Sequence, residues 1–277
     1  MAVVGAVVLA GGCSSRMGEP KALLEWHGST LLRRVVGLVS RGCEGPVVVV
    51  RAAGQELPDL PPTVRVLDDE QQGRGPLQGV AAGLAALQDE VDHAFVCATD
   101  LPFLHPRFVR RVVRAVEGRD VALPVVGGFR QPLAAAYRTA LAGRAHALLA
   151  QDLRRVGFLL EDVDVATLDE AALLDDPALR AVDAQLESVL GVNDRPAYDQ
   201  ARARPAPEVS VQRFGAAAGG GAATVRAATL GAAARAVGLT LDRHLLAAVD
   251  GDQVVRDVQT PLAAGDVVTL LSADAGG

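Results

Sequence analysis

Short apolar strands alternating with amphipathic helices predict an α/β domain over about the first 200 residues, its sheet mostly parallel and covered on both faces. Three observations carry this expectation. Residues 3–9 and 47–51 are apolar runs of strand length bounded by glycine or proline, the pattern of strands buried on both sides. Helical periods follow Ser29-Thr30, Gly75-Pro76 and Pro106, each a recognised helix-opening signal. Leu9-Ala10-Gly11-Gly12 and Thr99-Asp100 both close strands, and open α/β sheets bind ligands outside the carboxyl ends of their strands. A second, smaller α+β domain is expected over residues 208–277, in the strand and helix order of a β-grasp.

The elements are justified in turn. Residues 3–9 form the first strand, and Ser29 or Thr30 caps a helix through Leu31, Leu32, Val35, Val36 and Val39. Pro46 introduces the second strand, and residues 64–67 give a third. A helix covers residues 77–88, a strand residues 93–98, and Pro106 opens a helix carrying Phe108, Val112 and Val116. Residues 120–124 and 132–137 read as strands and 139–153 as helix, while the acidic stretch 161–176 reads as surface turns and a short helix. Residues 202–207, RARPAP, lack periodicity and form a linker between a domain of residues 1–201 and the second domain. Beyond it come strands at 209–214 and 223–227 and a helix on Leu230, Ala233, Ala234 and Val237 that stops at Gly238. Strands at 246–249 and 267–271 complete the segment.

Composition narrows the function classes. A net charge of −6 with no basic run and few aromatics argues against nucleic acid as the main partner. The apolar start, MAVVGAVVLAGG, lacks a charged leader region and is too short to cross a bilayer, so no membrane partner and a cytoplasmic location are expected. Cys13, Cys43 and Cys97 are an odd, widely spaced set that fits reduced thiols rather than a zinc site or disulfides.

The chemistry concentrates in residues 9–24, LAGGCSSRMGEPKALL. Gly11 and Gly12 let the backbone turn sharply and bring N–H groups against an anion. Ser14 and Ser15 add hydroxyl donors, Arg16 a planar cationic fork and Lys21 a mobile point charge that the Gly18-Glu19-Pro20 turn brings back toward phosphates. The spacing is not that of a Walker loop, because Lys21 lies nine residues after the second glycine and no Ser or Thr follows it. Asp100 directly follows an apolar strand, where one carboxylate plus phosphate oxygens suffice for Mg²⁺. Asp68, Asp69 and Glu70 follow the third strand, where a carboxylate can accept hydrogen bonds from a base or ribose. Asn193, in Gly191-Val192-Asn193-Asp194, can complete a metal shell or orient a phosphate. The residues therefore describe a Mg²⁺-dependent nucleotidyltransferase.

Together these motifs resemble the molybdenum cofactor guanylyltransferase family, over about residues 1–200. The resemblance runs through Leu9-Ala10-Gly11-Gly12, Ser14, Arg16-Met17-Gly18, Lys21, Gly75-Pro76-Leu77, Gly79, Asp100-Leu101-Pro102-Phe103, Gln131-Pro132-Leu133 and Val192-Asn193. It implies a Rossmann-like nucleotidyltransferase domain in which the terminal phosphate of molybdopterin attacks the α-phosphate of GTP and pyrophosphate leaves. By matching positions, Leu9, Ala10, Gly11 and Asp69 contact the nucleoside, Lys21 the phosphates, and Asp100 the Mg²⁺, while residue chemistry alone adds Gly12 to the nucleotide loop, Arg16 to the phosphates and Asn193 to the metal shell. The chain departs from the family at Gly191, where Asn is usual, and at Arg51, where Asn is common.

The C-terminal segment resembles the small sulfur-carrier subunit of molybdopterin synthase, a ubiquitin-like β-grasp protein. The matching residues are Phe214-Gly215, Thr229-Leu230, Val249-Asp250-Gly251, Thr260-Pro261-Leu262, Gly265-Asp266-Val267-Val268 and Gly276-Gly277. The resemblance implies that Gly277 is adenylated and becomes a thiocarboxylate, with a carrier-activating enzyme and the large subunit of molybdopterin synthase as partners. Residues 272–275, SADA, depart from the prolines usual before the glycines. Two rival readings stand beside these. One is a cytidylyltransferase of the same cofactor or a sugar-phosphate nucleotidyltransferase, and the other is a nucleotide-binding adaptor with a ubiquitin-like interaction module.

Overall fold

The structure of the chain, a computed structural model, describes residues 3–11, 19–69, 75–214, 221–242, 244–251 and 253–272. Contacts divide it into two compact units. The first is residues 1–24 with 31–195, and the second is residues 25–30 with 196–277.

In the first unit, β1 (Val4–Leu9) leads to a 3-10 turn at Lys21–Leu23. The chain continues through α1 (Leu31–Gly42), β4 (Val47–Ala52), β5 (Val64–Asp69), α2 (Pro76–Ala85), β6 (His93–Ala98) and α3 (Pro106–Ala115). The intervening β2 (Glu25–Trp26) and β3 (Ser29–Thr30) belong to the second unit. Then come β7 (Val121–Val126), β8 (Phe129–Arg130), β9 (Ala134–Arg138), α4 (Leu141–Ala150), β10 (Val165–Leu168), α5 (Glu170–Leu174) and α6 (Pro177–Val182). The sheet runs β10-β7-β9-β6-β1-β4-β5, with β8 folded onto β7. Only β9 and β8 pair antiparallel among these strands, so the expected mostly parallel sheet is present.

Side chains alternate across this sheet, as strand geometry requires. Ala6, Val8, Phe95 and Cys97 face Leu32, Val35 and Val39 of α1 and Phe108 and Val112 of α3. Val7, Leu9, Ala94 and Val96 face Leu77, Val80 and Leu84 of α2 and Ala145 and Leu149 of α4. The closest approach is made by Gly83, where a Cβ would lie 2.3 Å from Val7 Cγ1, so α2 lies directly on β1.

Several expectations need correction. The acidic stretch contains a strand: β10 pairs parallel with β7, Val165 opposite Val121 through Leu168 opposite Pro124. Only Leu168 of its four residues is buried, so the hydrophobic period is too weak to read in sequence. Ser29 and Thr30, directly ahead of α1, also form a two-residue strand that pairs with Trp26 and Glu25. The helix expected over 139–153 is shorter, Leu141–Ala150.

The second unit holds the β2–β3 hairpin and α7 (Arg195–Arg202) from Pro196 onward. Trp26 is buried and lies 6.2 Å, centroid to centroid, from Tyr198, whose hydroxyl donates to the Glu25 carbonyl. Arg202 Nε donates to Glu25 Oε2 at 2.6 Å. That pair and the Gly28 N–H hold the Glu25 carboxyl below its ordinary range, against the opposing effect of partial burial. Residues 203–207 carry neither helix nor strand. Next come β11 (Glu208–Phe214), β12 (Ala223–Arg226), α8 (Leu230–Ala236), β13 (Leu245–Val249), β14 (Gln253–Val255) and β15 (Val267–Ser272). They form one mixed sheet, β12-β11-β15-β13-β14, with β11 and β15 parallel at its centre. The short β14 was not anticipated from sequence. Val209, Val211, Val268, Leu270 and Ala247 pack against Leu230, Ala233 and Ala234 of α8, whose N-terminus is capped by Thr229.

Candidate active site

The site is assembled at the carboxyl ends of β1, β4, β5 and β6. The Leu9 carbonyl accepts from both the amide (3.2 Å) and the hydroxyl (2.9 Å) of buried Thr99, which straps the end of β1 to the end of β6. Ala10 N–H and Gly11 N–H both donate to the Val50 carbonyl, at 2.8 and 3.2 Å. A Cβ at Gly11 would stand 3.1 Å from the Ala52 nitrogen, so the close backbone approach there suits glycine.

Gln55 locks this corner. Its carboxamide donates to the Ala10 carbonyl at 2.9 Å and accepts from the Ala52 N–H at 3.0 Å. Its own carbonyl accepts from Arg51 Nη1 at 3.0 Å, and Arg51 Nε pairs with Asp68 Oδ1 at 2.6 Å. Asp69, half-buried, closes the β4–β5 register opposite Ala52. On the other side, Gly75 takes a positive φ of 78° ahead of Pro76 at the first turn of α2, and Leu77 is fully buried. A Cβ at Gly79 would lie 3.0 Å from Leu9 Cδ2, so α2 seats directly on the end of β1.

Lys21 and Asp100, assigned to phosphate and metal from sequence, are brought together. The 3-10 turn Lys21–Leu23 buries Ala22 completely and leaves the lysine ammonium 2.8 Å from Asp100 Oδ2. The two side chains retain 21% and 19% of their exposure, enough for a ligand to reach both. The Asn193 segment arrives at the same place, because Val192 N–H donates to the Asp100 carbonyl at 2.9 Å. The space that a Cβ at Gly191 would occupy lies 3.4 Å from the Asn193 amide and 4.0 Å from Asp100 Oδ1. The Asn193 atom facing that space is Nδ2, so the side-chain oxygen there is that of Asp100, which a hard divalent cation would take together with phosphate and water oxygens. Among the described residues no three His, Cys, Asp or Glu side chains converge.

Gly12 and Arg16, with Ser14 and Ser15, lie outside the described residues, as does Gly277. The alternative of Asp100 as a helix cap is not what the structure shows: His105 accepts from Arg107 N–H at the start of α3. Two contributors were missed in sequence. Gln55 gave no signal, being one polar residue in a loop. Arg34 gave one, since it stands among Leu31, Val35 and Leu38 on the buried side of α1, where it donates 2.6 Å to the Pro102 carbonyl and supports the loop after Asp100. Cys97, near the site, is no nucleophile: burial pushes its thiol well above the ordinary value, and the neighbouring Cys43 and Asp100 add to the shift.

Residues 6–165 match the MobA-like NTP transferase domain family. A probable molybdenum cofactor guanylyltransferase of Bacillus cereus is 31% identical over 199 residues, covering 71% of this chain and 94% of that protein. One of the same name from Mycobacterium tuberculosis H37Rv is 43% identical over 163 residues, covering 57% of this chain and 79% of its own length. Among solved structures, molybdopterin-guanine dinucleotide biosynthesis protein A from Archaeoglobus fulgidus superposes with a TM-score of 0.57 at 23% identity, over 72% of this chain and 97% of that one. A nucleotidyl transferase from Methanothermobacter thermautotrophicus gives 0.51 at 18% identity, over 72% and 96%. At those identities the likeness speaks to the fold.

Proposed function

The chain is a nucleotidyltransferase of the MobA-like NTP transferase family, and from that premise we propose that it transfers GMP from GTP to the terminal phosphate of molybdopterin with Mg²⁺. An oxygen of the acceptor phosphate attacks the α-phosphorus of GTP, the bond from that phosphorus to the bridging oxygen breaks, and pyrophosphate leaves. Little proton transfer is needed, so catalysis is positioning and charge neutralisation.

The observation that carries this reading is the Lys21–Asp100 pair, 2.8 Å apart at the strand ends. Lys21 supplies positive charge where the triphosphate must lie. Asp100, with Asn193 beside it, is the anionic anchor for Mg²⁺, which when bound offsets charge on the phosphate oxygens. The backbone of Leu9, Ala10 and Gly11 presents the nucleoside edge, with Asp69 as an acceptor for base or ribose and Gly12 and Arg16 completing the phosphate loop. The two curated relatives carry a guanylyltransferase name, which supports guanine over cytosine.

We extend the reading to the C-terminal unit as a sulfur carrier of the same pathway, with Gly277 as the residue activated. The central parallel pair β11–β15, flanked by β12 on one side and β13–β14 on the other and packed on one helix, is the arrangement that supports a ubiquitin-like assignment. A carrier-activating enzyme and the large subunit of molybdopterin synthase are the partners this implies.

The test is to incubate the chain with Mg²⁺ and each of the four NTPs, with and without molybdopterin, and to separate the products. GTP with molybdopterin should yield the guanine dinucleotide and pyrophosphate. Asp100→Asn should lower that rate by about 10²-fold or more while leaving the fold intact, the scale for losing a charge-stabilising group. Preferred use of CTP would reassign the base, and near wild-type turnover by Asp100→Asn at saturating Mg²⁺ would remove Asp100 from the site.

A further inference from the structure

The β7–β8 hairpin holds an aromatic ring in solvent on the sheet edge that carries Lys21 and Asp100. Phe129 is 75% exposed, the most exposed large apolar side chain among the described residues. A single exposed apolar residue is ordinary, but two features separate this one from that background.

The tip is pinned. Gly127 and Gly128 both take positive φ, 61° and 77°, and close a two-residue turn that pairs Val126 with Phe129. Gly127 N–H donates to Glu170 Oε1 at 2.7 Å, and Gln131 donates from its backbone to the Pro124 carbonyl at 2.9 Å and from its side chain to the Phe129 carbonyl at 3.2 Å. A ring on a backbone already ordered gives up less freedom when it binds.

The register places it. Strand β9 pairs with both β6 and β7, so that Ala136 stands opposite Phe95 on one side and Ala122 on the other. Counting along these two strands, which run in the same direction, puts Val126 level with Thr99 and Gly127 level with Asp100. One strand intervenes, so the separation across the sheet is about 10 Å. Val126 packs on the core cluster of the sheet face that carries α1 and α3. Phe129, paired with Val126, projects on that same face, and Arg130 on the opposite one.

We infer that Phe129 is the platform on which the acceptor's ring system stacks, so that a flat heteroaromatic group bearing a phosphate lies with its ring on Phe129 and its phosphate at Lys21 and Asp100. The inference rests on the transfer reading above and names the residue that selects the acceptor. Aromatic stacking tolerates ring substituents because it reads a π-face, whereas the phosphate is read by charge.

The experiment uses the full chain and the variants Phe129→Ala and Phe129→Tyr. Binding of molybdopterin is followed by anaerobic titration calorimetry without GTP, and GTP affinity and steady-state transfer are measured separately. Phe129→Ala is expected to weaken molybdopterin binding and raise its KM about tenfold, within the loss typical of one base–aromatic stack. GTP affinity should be unchanged, and Phe129→Tyr should restore the acceptor KM. Equal affinity of wild type and Phe129→Ala for molybdopterin overturns the inference while leaving transfer intact. A wild-type chain that binds GTP but no molybdopterin overturns the acceptor reading itself, and the role of Phe129 with it.

Discussion

At Gln55 one carboxamide closes two hydrogen bonds, to Ala10 and to Ala52, and so couples the loop after β4 to the end of β1. The atoms it fixes are backbone atoms, which only geometry can bring to a nucleotide. Removing it leaves the Ala10 carbonyl and the Ala52 N–H to find water, at a net cost of about 1 kcal/mol per bond. Gln55→Ala is therefore expected to raise the GTP KM about tenfold with kcat little changed, because the residue positions the binding edge and touches no reacting atom. Gln55→Glu keeps the acceptor for Ala52 but sets a carboxylate oxygen against the Ala10 carbonyl, and should raise the GTP KM at least as much. A GTP KM within twofold of wild type in Gln55→Ala would show that the corner holds its shape without the clamp. Lys21 and Asp100 behave differently at this scale, since their residue types and spacing already announced phosphate and metal chemistry.

At the scale of elements, α2 depends on a missing side chain. A Cβ at Gly83 would meet Val7 Cγ1 at 2.3 Å, a distance that requires backbone movement in β1 or α2. An exposed helix glycine gains about 1 kcal/mol when changed to alanine, whereas overpacking of this kind costs about 1–3 kcal/mol. Gly83→Ala should thus lower the denaturant midpoint, and because β1 ends in the nucleotide edge, it should weaken GTP binding as well. A midpoint at or above wild type would mean that α2 can lift off β1 without cost. The same contrast explains what was legible. Strands β1, β4 and β6 are buried on both faces and read directly as apolar runs, and the loops that follow them carried the motif residues. Strand β10 is an edge strand with one buried residue of four, so its hydrophobic signal is nearly absent. Packing of α7 against the β2–β3 hairpin is set by contacts between residues far apart in the chain, which no local pattern records. Gln55 was invisible for the same reason, whereas Arg34 was legible in principle as a charge on a buried helix face.

At the scale of the whole molecule, the proposed activities occupy different compact units, and this separates their tests. Deleting Gly276 and Gly277 should leave guanylyl transfer unchanged, since no residue of the Lys21–Asp100 site is altered. The same deletion should abolish any replacement of a terminal oxygen by sulfur when the chain is incubated with ATP, an activating enzyme and a sulfur donor. Intact mass reads that replacement directly. A full-length chain that never gains sulfur under those conditions would recast the C-terminal unit as an interaction module.

The hairpin at residues 25–30 has a consequence for how the protein is made. The chain enters the second unit there, leaves it, and returns only at Pro196. The hydrogen bond from Tyr198 to Glu25 spans 173 residues. At typical elongation rates, the ribosome needs roughly ten to thirty seconds to deliver α7 after the hairpin has emerged. Throughout that interval Trp26, buried in the finished protein, has no tyrosine to pack against. The turn that carries Lys21 is held within its own unit, by buried Ala22 and the Leu31 N–H to Leu24 carbonyl bond, so it is the hairpin alone that waits for α7.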